Sequence, residues 1–414
     1  MKSFSIIIVL IFILTACSSF IKRIDLQQNN FVTIPQTNKN FCSNKTNFLL
    51  MNSEELSQKE FEKTIKGKDF SPVEKFVLWS LVQMIIRPDV NSPESQFEIF
   101  VNGPKSNRYF RFTLEQYQYP MVEGLSLILN AYSAKRNLRE LIRYIETNYP
   151  QLVNVDSELE IFIEQNKETI KAINELKEVF VRADETLKNG EKFNRLSIEK
   201  LSNFIPKNEA HITSLPLLNH ESSRIPLSCN FSMQSYDDSL YSVQEKVNPN
   251  YTYGIMTDDF TFVAATSLSY KKISLIPGTI WFSADKTIKK ARFDIAACSY
   301  EDQNNNKQII LISTASRDPG QHLYYLFQYD MDKIKGAREL EGLLKFARHL
   351  FLTDPLRLIY ESHRGTEKQL TELLKLNIPI YNANGLGHIT GFIKTKDDKN
   401  FVLDNRHKAF LSCP

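Results

Sequence analysis

Near residue 206 the spacing of apolar residues changes from helical to strand-like, and this change constrains the fold more than any single motif. Upstream, Ser71 with Glu74, separated by Pro72, is a helix-start signature in which a hydroxyl and a carboxylate satisfy orphan amides. It predicts an apolar helix over 72–86, ended by Arg87-Pro88. Asn52 with Glu55 marks an earlier start, and the ordered body is expected from about that point. Residues 97–113 alternate around Asn102-Gly103, which is hairpin chemistry. Helical periodicity returns over 121–148 and again over 157–188. There Leu159, Ile163, Ile170, Ile173, Phe180 and Leu187 recur at three- and four-residue steps or their sums, until Gly190. Such a stripe is core or a helix-pairing seam rather than a cofactor box.

Downstream, Pro206, Pro216 and Pro226 interrupt the chain, and short strand-like runs follow: FTFVAATS, TIWFSA, RFDIAACSY and QIILISTAS. The last two, separated by the polar EDQNNNK, are expected to pair antiparallel. A helix is expected over 332–352. LRLIYES, TEKQLTELLKL and IPIYN then read as strand, helix and strand, a βαβ unit with two parallel strands, and HITGFIK with NFVLD as a hairpin closing the same sheet. The expectation is an α+β protein, with a mainly helical domain at 51–205 followed by a mixed-sheet α/β domain at 206–414.

At the N-terminus, Lys2 precedes an apolar run from Phe4 to Leu14, too short for a bilayer that needs roughly 20 residues. With Thr15-Ala16 behind it, the run reads as a secretory signal over 1–16. Leu14, Thr15, Ala16 and Cys17 resemble the lipobox of bacterial lipoproteins. The resemblance implies cleavage after Ala16, acylation (palmitate among the acyl groups) at Cys17, and a lipid anchor in the cell envelope. Ser18 in the next position implies the outer membrane in a Gram-negative cell, with the face that carries the body, periplasmic or external, left open. An ordinary signal with an incidental cysteine is the alternative. The Asn-, Gln-, Thr- and Ser-rich residues 17–50 are then a flexible tether.

Loss of 16 of the 414 residues leaves 398, enough for two or three domains. A net charge of +3 gives no support for a nucleic-acid or other polyanionic partner. With Cys17 set aside for lipid, Cys42, Cys229, Cys298 and Cys413 form an even set. In an oxidising compartment that allows two disulfides in three pairings, against four buried thiols as the alternative. No Cys/His spacing suits a metal, no GxSxG elbow occurs, and Gly385-Leu386-Gly387 lacks the rest of a dinucleotide fingerprint, so neither metal nor cofactor is expected.

Ligands of open α/β sheets bind beyond the carboxyl ends of parallel strands. The loops Ser362–Gly365 and Asn382–His388 would meet there, with SRDPGQH as a third if its strand were parallel to theirs. Arg364, His363 and the capping Thr366 at a helix start would suit an anion such as a phosphate or carboxylate.

Residues 308–414 also resemble, in order of elements, one repeat of the phospholipase D superfamily. In DDKNFVLDNRHKAFLSCP, Lys399, Asp404 and Ser412 fall on the family's lysine, aspartate and serine positions. Asp397, Leu411 and Pro414 replace its histidine, glycine and asparagine, and His388 is the nearest alternative nucleophile. The resemblance implies a phosphodiesterase with His388, Lys399 and Asp404 as candidate catalytic residues. Because no catalytic constellation is complete, the favoured expectation is a lipid-anchored, non-catalytic binding or scaffold protein. Its partners would be the membrane, another protein or an anionic small molecule. The alternatives are the phosphodiesterase or related hydrolase, and a structural or secretion accessory pairing through its long helix.

Overall fold

The computed structural model describes residues 48–411 with interruptions, the longest at 232–249 and 286–295. The N-terminal half supplies strands β1 (Phe48–Asn52), β2 (Gln96–Asn102) and β3 (Asn107–Phe112). After them come β4 (Leu218–Ser222), β5 (Ile225–Cys229), β6 (Asn250–Thr257), β7 (Thr261–Ser267), β8 (Ala296–Asp302) and β9 (Lys307–Thr314). The last third holds β10 (His349–Thr353), β11 (Leu356–Tyr360), β12 (Ile380–Asn382), β13 (His388–Lys394), β14 (Lys399–Leu403) and β15 (Phe410–Leu411). The helices are α1 (Glu55–Ile65), α2 (Pro72–Ile86), α3 (Pro120–Ala131), α4 (Leu138–Asn148), α5 (Ser157–Gln165), α6 (Lys167–Ala172), α7 (Asn174–Phe180), α8 (Pro319–Leu326), α9 (Ala337–Leu344) and α10 (Glu367–Leu374).

Two six-stranded antiparallel sheets carry the fold. Their strand orders are β15-β1-β6-β7-β2-β3 and β14-β13-β9-β8-β5-β4. Alternation along each strand sends one set of side chains to each face. Met51, Phe100, Met256 and Val263 of the first sheet meet Ile310, Ile312, Phe392 and Phe401 of the second in an inner core. On the first sheet's other face, Ile99, Tyr253, Ile255 and Phe262 pack against α2 and α3. On the second's, Cys298, Leu311, Ile389 and Val402 pack against Leu323 and Leu326 of α8 and Leu340 and Leu344 of α9. The result is four layers, helix on sheet on sheet on helix. Each large side chain so buried stabilises by about 1.5–3 kcal/mol. Both faces of both sheets are covered, so even QFEIFVN of β2 is buried along its whole length. No helix among the described residues is long and apolar enough to cross a membrane.

The protein is α+β, and several expected elements stand where the pattern put them. Ser71 and Glu74 form the capping box of α2, and Glu74, fully buried in its first turn, also accepts from the Arg136 amide at 2.8 Å. The β2–β3 and β8–β9 hairpins pair as expected, and β11–α10–β12 is a βαβ unit with parallel strands.

Other expectations need correction. A boundary at residue 205 would cut through the first sheet, because β6 and β7 downstream of it pair with β1 and β2 upstream. The 157–188 helix is three short ones: Ile173 is extended after α6, and Ala183 and Asp184 take positive φ of 50° and 64° to turn a small hairpin. Leu159, Ile163, Ile170, Phe180 and Leu187 are nonetheless all buried, so the period reported burial and not continuity. Of the helix expected over 332–352 only α9 forms, since His349–Thr353 leaves to pair with β11. The β13–β14 hairpin joins β9 in the second sheet, while β10-β11-β12 form a separate one. The tether stops short of residue 50, because β1 begins at Phe48 and pairs with β6. Its remainder, the signal and Cys17 lie outside the described residues. Of the cysteines, Cys229 and Cys298 face each other across β5 and β8 and are disulfide-bonded, while Cys42 and Cys413 lie outside the described residues.

Candidate active site

At one end of the inner space, four strands bring polar side chains together. Inward alternation, fixed by Met256, Val263, Ile312 and Phe392, places Thr252 of β6, Ser267 of β7, Thr314 of β9, and His388 and Thr390 of β13 between the sheets. Thr252 Oγ1 and Thr314 Oγ1 hydrogen-bond across the layers at 3.4 Å. Thr314 lies directly opposite His388 in the β9–β13 register, where facing Cβ atoms are about 4.5–5.5 Å apart. All five residues are buried, and Ser267 Oγ has no hydrogen-bond partner among the described residues. The strands end here, and the apolar inner core gives way to Thr, Ser and His.

Behind His388 lies a charge-balanced buried set. Arg348 Nη2 donates to Asp404 Oδ2 at 2.5 Å, and its Nη1 donates to the carbonyls of Leu386 at 2.9 Å and Gly387 at 3.0 Å. Arg406 donates to Asp404 at 3.0 Å and to both oxygens of Glu361, whose Oε1 also accepts from the Leu386 amide at 2.6 Å. Burial alone would raise the Asp404 carboxyl, but the adjacent Arg348 and Arg406 guanidinium groups, the Arg406 amide and His388 together hold it well below the usual range. Burial pulls Arg348 down to about 10, with Arg406 adding to the effect. Burial also draws His349 down to about 4, and burial followed by Arg348 pushes His322 well below its ordinary value.

The sequence candidates separate accordingly. His388 and Asp404 come together through the backbone: the amide of Ile389, the residue after His388, donates to Asp404 Oδ2 at 3.2 Å. Lys399 does not: it pairs with Lys394 at the far end of the β13–β14 hairpin, six residues or about 20 Å along the strand, where it bonds Asp258. The loops after β11 and β12 do meet, yet Glu361, Arg348 and Arg406 fill the space between them, and Asp404 completes their charge balance. Thr366 caps α10 by accepting from the Gln369 amide at 3.2 Å, His363 is exposed on a single 3-10 turn, and Arg364 is half-buried, its charge destabilised by burial and then by Arg406. The strand before SRDPGQH is antiparallel and belongs to the other sheet. Among the described residues no group of three or more His, Cys, Asp or Glu could hold a metal.

Thr252, Ser267, Thr314, Arg348, Glu361 and Arg406 were not singled out from sequence. The only local signal was the run of hydroxyls closing QIILISTAS; nothing local joins Thr314 to Thr252. A separate groove of about 1030 Å³ between α6 and residues 272–285 has Glu168, Lys272 and Asp285 on its rim but no histidine.

No family model matches the chain, and no curated protein matches it in sequence. Solved structures share its fold across nearly the whole length. One is LmbA2991HD, at TM-score 0.67 and 7% identity, covering 92% of this chain and 100% of that one. Another is cephalosporin acylase from Bacillus halodurans, at TM-score 0.62 and 9% identity, covering 92% of this chain and 98% of that one. At such identities the likeness is one of fold. It corrects the expectation of a non-catalytic scaffold, since the fold is one that an enzyme, the cephalosporin acylase, also has, and the phosphodiesterase alternative falls with it, because Lys399 is remote from His388.

Proposed function

We propose that the chain is a hydrolase of the acylase type, cleaving an amide-bound acyl group at the hydroxyl–histidine site between its sheets. The observation that carries this reading is the Thr252–Thr314 hydroxyl contact lying directly across from His388. Acyl transfer needs a hydroxyl oxygen to attack a carbonyl carbon while a base takes its proton, and a donor to hold the oxyanion that forms. The threonine pair supplies the oxygen, His388 the base, and Ser267 Oγ–H a donor with no other use. The amine then departs with the proton from His388, and water, deprotonated by the same imidazole, releases the acid. Asp404 and the arginines around it hold the strand end that carries His388.

The test uses the mature protein with acyl anilides and a cephalosporin side-chain amide. Amine release is expected, with His388→Ala about 10²–10⁴-fold slower, the usual worth of a general base. Mass spectrometry of a trapped acyl-enzyme assigns the oxygen to Thr252 or Thr314. Failure of every acyl amide to turn over, and of hydroxyl-directed reagents to label either threonine, would overturn the reading. The lipobox-like start supports an anchor at Cys17, which would hold this hydrolase at the cell envelope.

A further inference from the structure

We propose that Arg348, forty residues from His388 and not on its strand, is the positioning residue that sets that histidine in the site; this rests on the hydrolase reading above. The backbone is tied on both sides of His388 by one linked pair of side chains. Ahead of it, the carbonyls of Leu386 and Gly387 both accept from Arg348 Nη1, at 2.9 and 3.0 Å. After it, the Ile389 amide donates to Asp404 Oδ2 at 3.2 Å, the same oxygen that accepts from Arg348 Nη2 at 2.5 Å. Gly387 turns the chain between these anchors at φ 62°, a conformation that L side chains avoid, so the strand must begin at His388. Arg348 is 1% exposed.

A planar fork is what this arrangement needs. One nitrogen spans two successive carbonyls while another meets the carboxylate, which a lysine's single ammonium cannot reproduce. Glu361 adds a further brace by accepting from the Leu386 amide at 2.6 Å. Arg348 itself holds two of the three peptide groups that flank this one site residue, and Asp404, which it bonds, holds the third, while its Nη2 also donates to the Leu344 carbonyl at 3.4 Å.

Two variants test the assignment, Arg348→Lys and Gly387→Ala, each read by the imidazole NMR resonances of His388 and by steady-state kinetics. Arg348→Lys keeps the charge opposite Asp404, and Gly387→Ala leaves the buried charges untouched. Both are expected to shift or broaden the His388 resonances and to lower kcat at least tenfold with KM within twofold. Wild-type His388 resonances and kcat in either folded variant would overturn the proposal. If Arg348→Lys does not fold, Gly387→Ala decides alone. Because the resonances report the tie without any substrate, a wild-type protein that turns nothing over would refute the hydrolase reading while leaving the positioning of His388 separately measurable.

Discussion

Arg348 meets Asp404 at 2.5 Å with both side chains withdrawn from water, and Arg406 reaches the same carboxylate from the other side at 3.0 Å. Removing one member of a buried ion set leaves the others without a counter-charge, at a cost of about 3–5 kcal/mol. Asp404→Asn should therefore lower stability by about that amount in urea unfolding at pH 7. A loss below about 1 kcal/mol, the worth of an exposed pair, would show that the set relaxes into solvent. The acid limb follows from the direction of the shift. A carboxyl held low in the fold and ordinary when unfolded contributes fully above about pH 4 and loses that contribution as pH falls towards the folded value. The variant should thus show a flatter decline than wild type below about pH 4.

His349 supplies a second pH dependence, in a different window. Its folded value is about 4, whereas an unfolded imidazole titrates near 6.5. Between these limits the unfolded chain takes up the proton and the folded chain does not. Stability is therefore complete above about pH 6.5 and falls by up to about 1.4 kcal/mol per pH unit on acidification. The ring lies 4.1 Å from that of Tyr325 and 5.5 Å from that of Phe351, so phenylalanine can take its place. His349→Phe should lower the slope of stability between pH 4 and 6.5, with His322, also held neutral, accounting for what is left. An unchanged slope would show that the His349 imidazole is not held neutral in the fold.

Cys229 and Cys298 close a loop of sequence separation 69 between two strands already in register. Constraining the unfolded chain over that length is worth up to about 4 kcal/mol. Paired Ser substitutions, or unfolding under reductant, should lower stability by about 2–4 kcal/mol while leaving the sheet order intact. Equal stability in the presence and absence of reductant would show that the bridge does not form in solution.

A lipid on Cys17 would partition the protein with membranes, since each buried methylene adds about 0.8 kcal/mol. Growth of an expressing bacterium on an alkyne fatty acid should label the wild type and leave Cys17→Ser unlabelled and in the soluble fraction. Labelling of the serine variant would refute attachment at that sulfur.

The parts of this fold that were legible in the sequence are those decided locally. Ser71 and Glu74 announce α2 because a cap is a contact between neighbours, and β11–α10–β12 reads correctly because its periods change within a few residues. What escaped was set by distant partners. HLFLT carries apolar residues at spacings a helix could use, and it becomes β10 only because β11 offers it an edge. The pairing of β7 with β2 joins residues some 165 positions apart, and no local pattern records that, so the chain looked divisible at residue 205. The site failed in the same way. His388 and Asp404 were within reach of a reading because they share one hairpin, while Thr252 and Thr314 meet across two sheets. Arg348, as a lone arginine after Ala347, gives no sign that it will be buried.

Ser267 separates a structural from a chemical role most cleanly. Its hydroxyl is 1% exposed and bonded to nothing among the described residues, so it costs desolvation that no interaction offsets. It sits on the inward face of β7, diagonal to Thr252, whose facing residue is Ala265, at about 7–8 Å. Removing an unsatisfied buried polar atom of this size is neutral or slightly stabilising, so Ser267→Ala should melt no lower than wild type. If the hydroxyl donates to the developing oxyanion, the same change should lower kcat by about 10²–10³-fold, the measured worth of one such donor. A variant with wild-type kcat would take Ser267 out of the chemistry, and one that is destabilised would mean the hydroxyl has a partner in the fold after all.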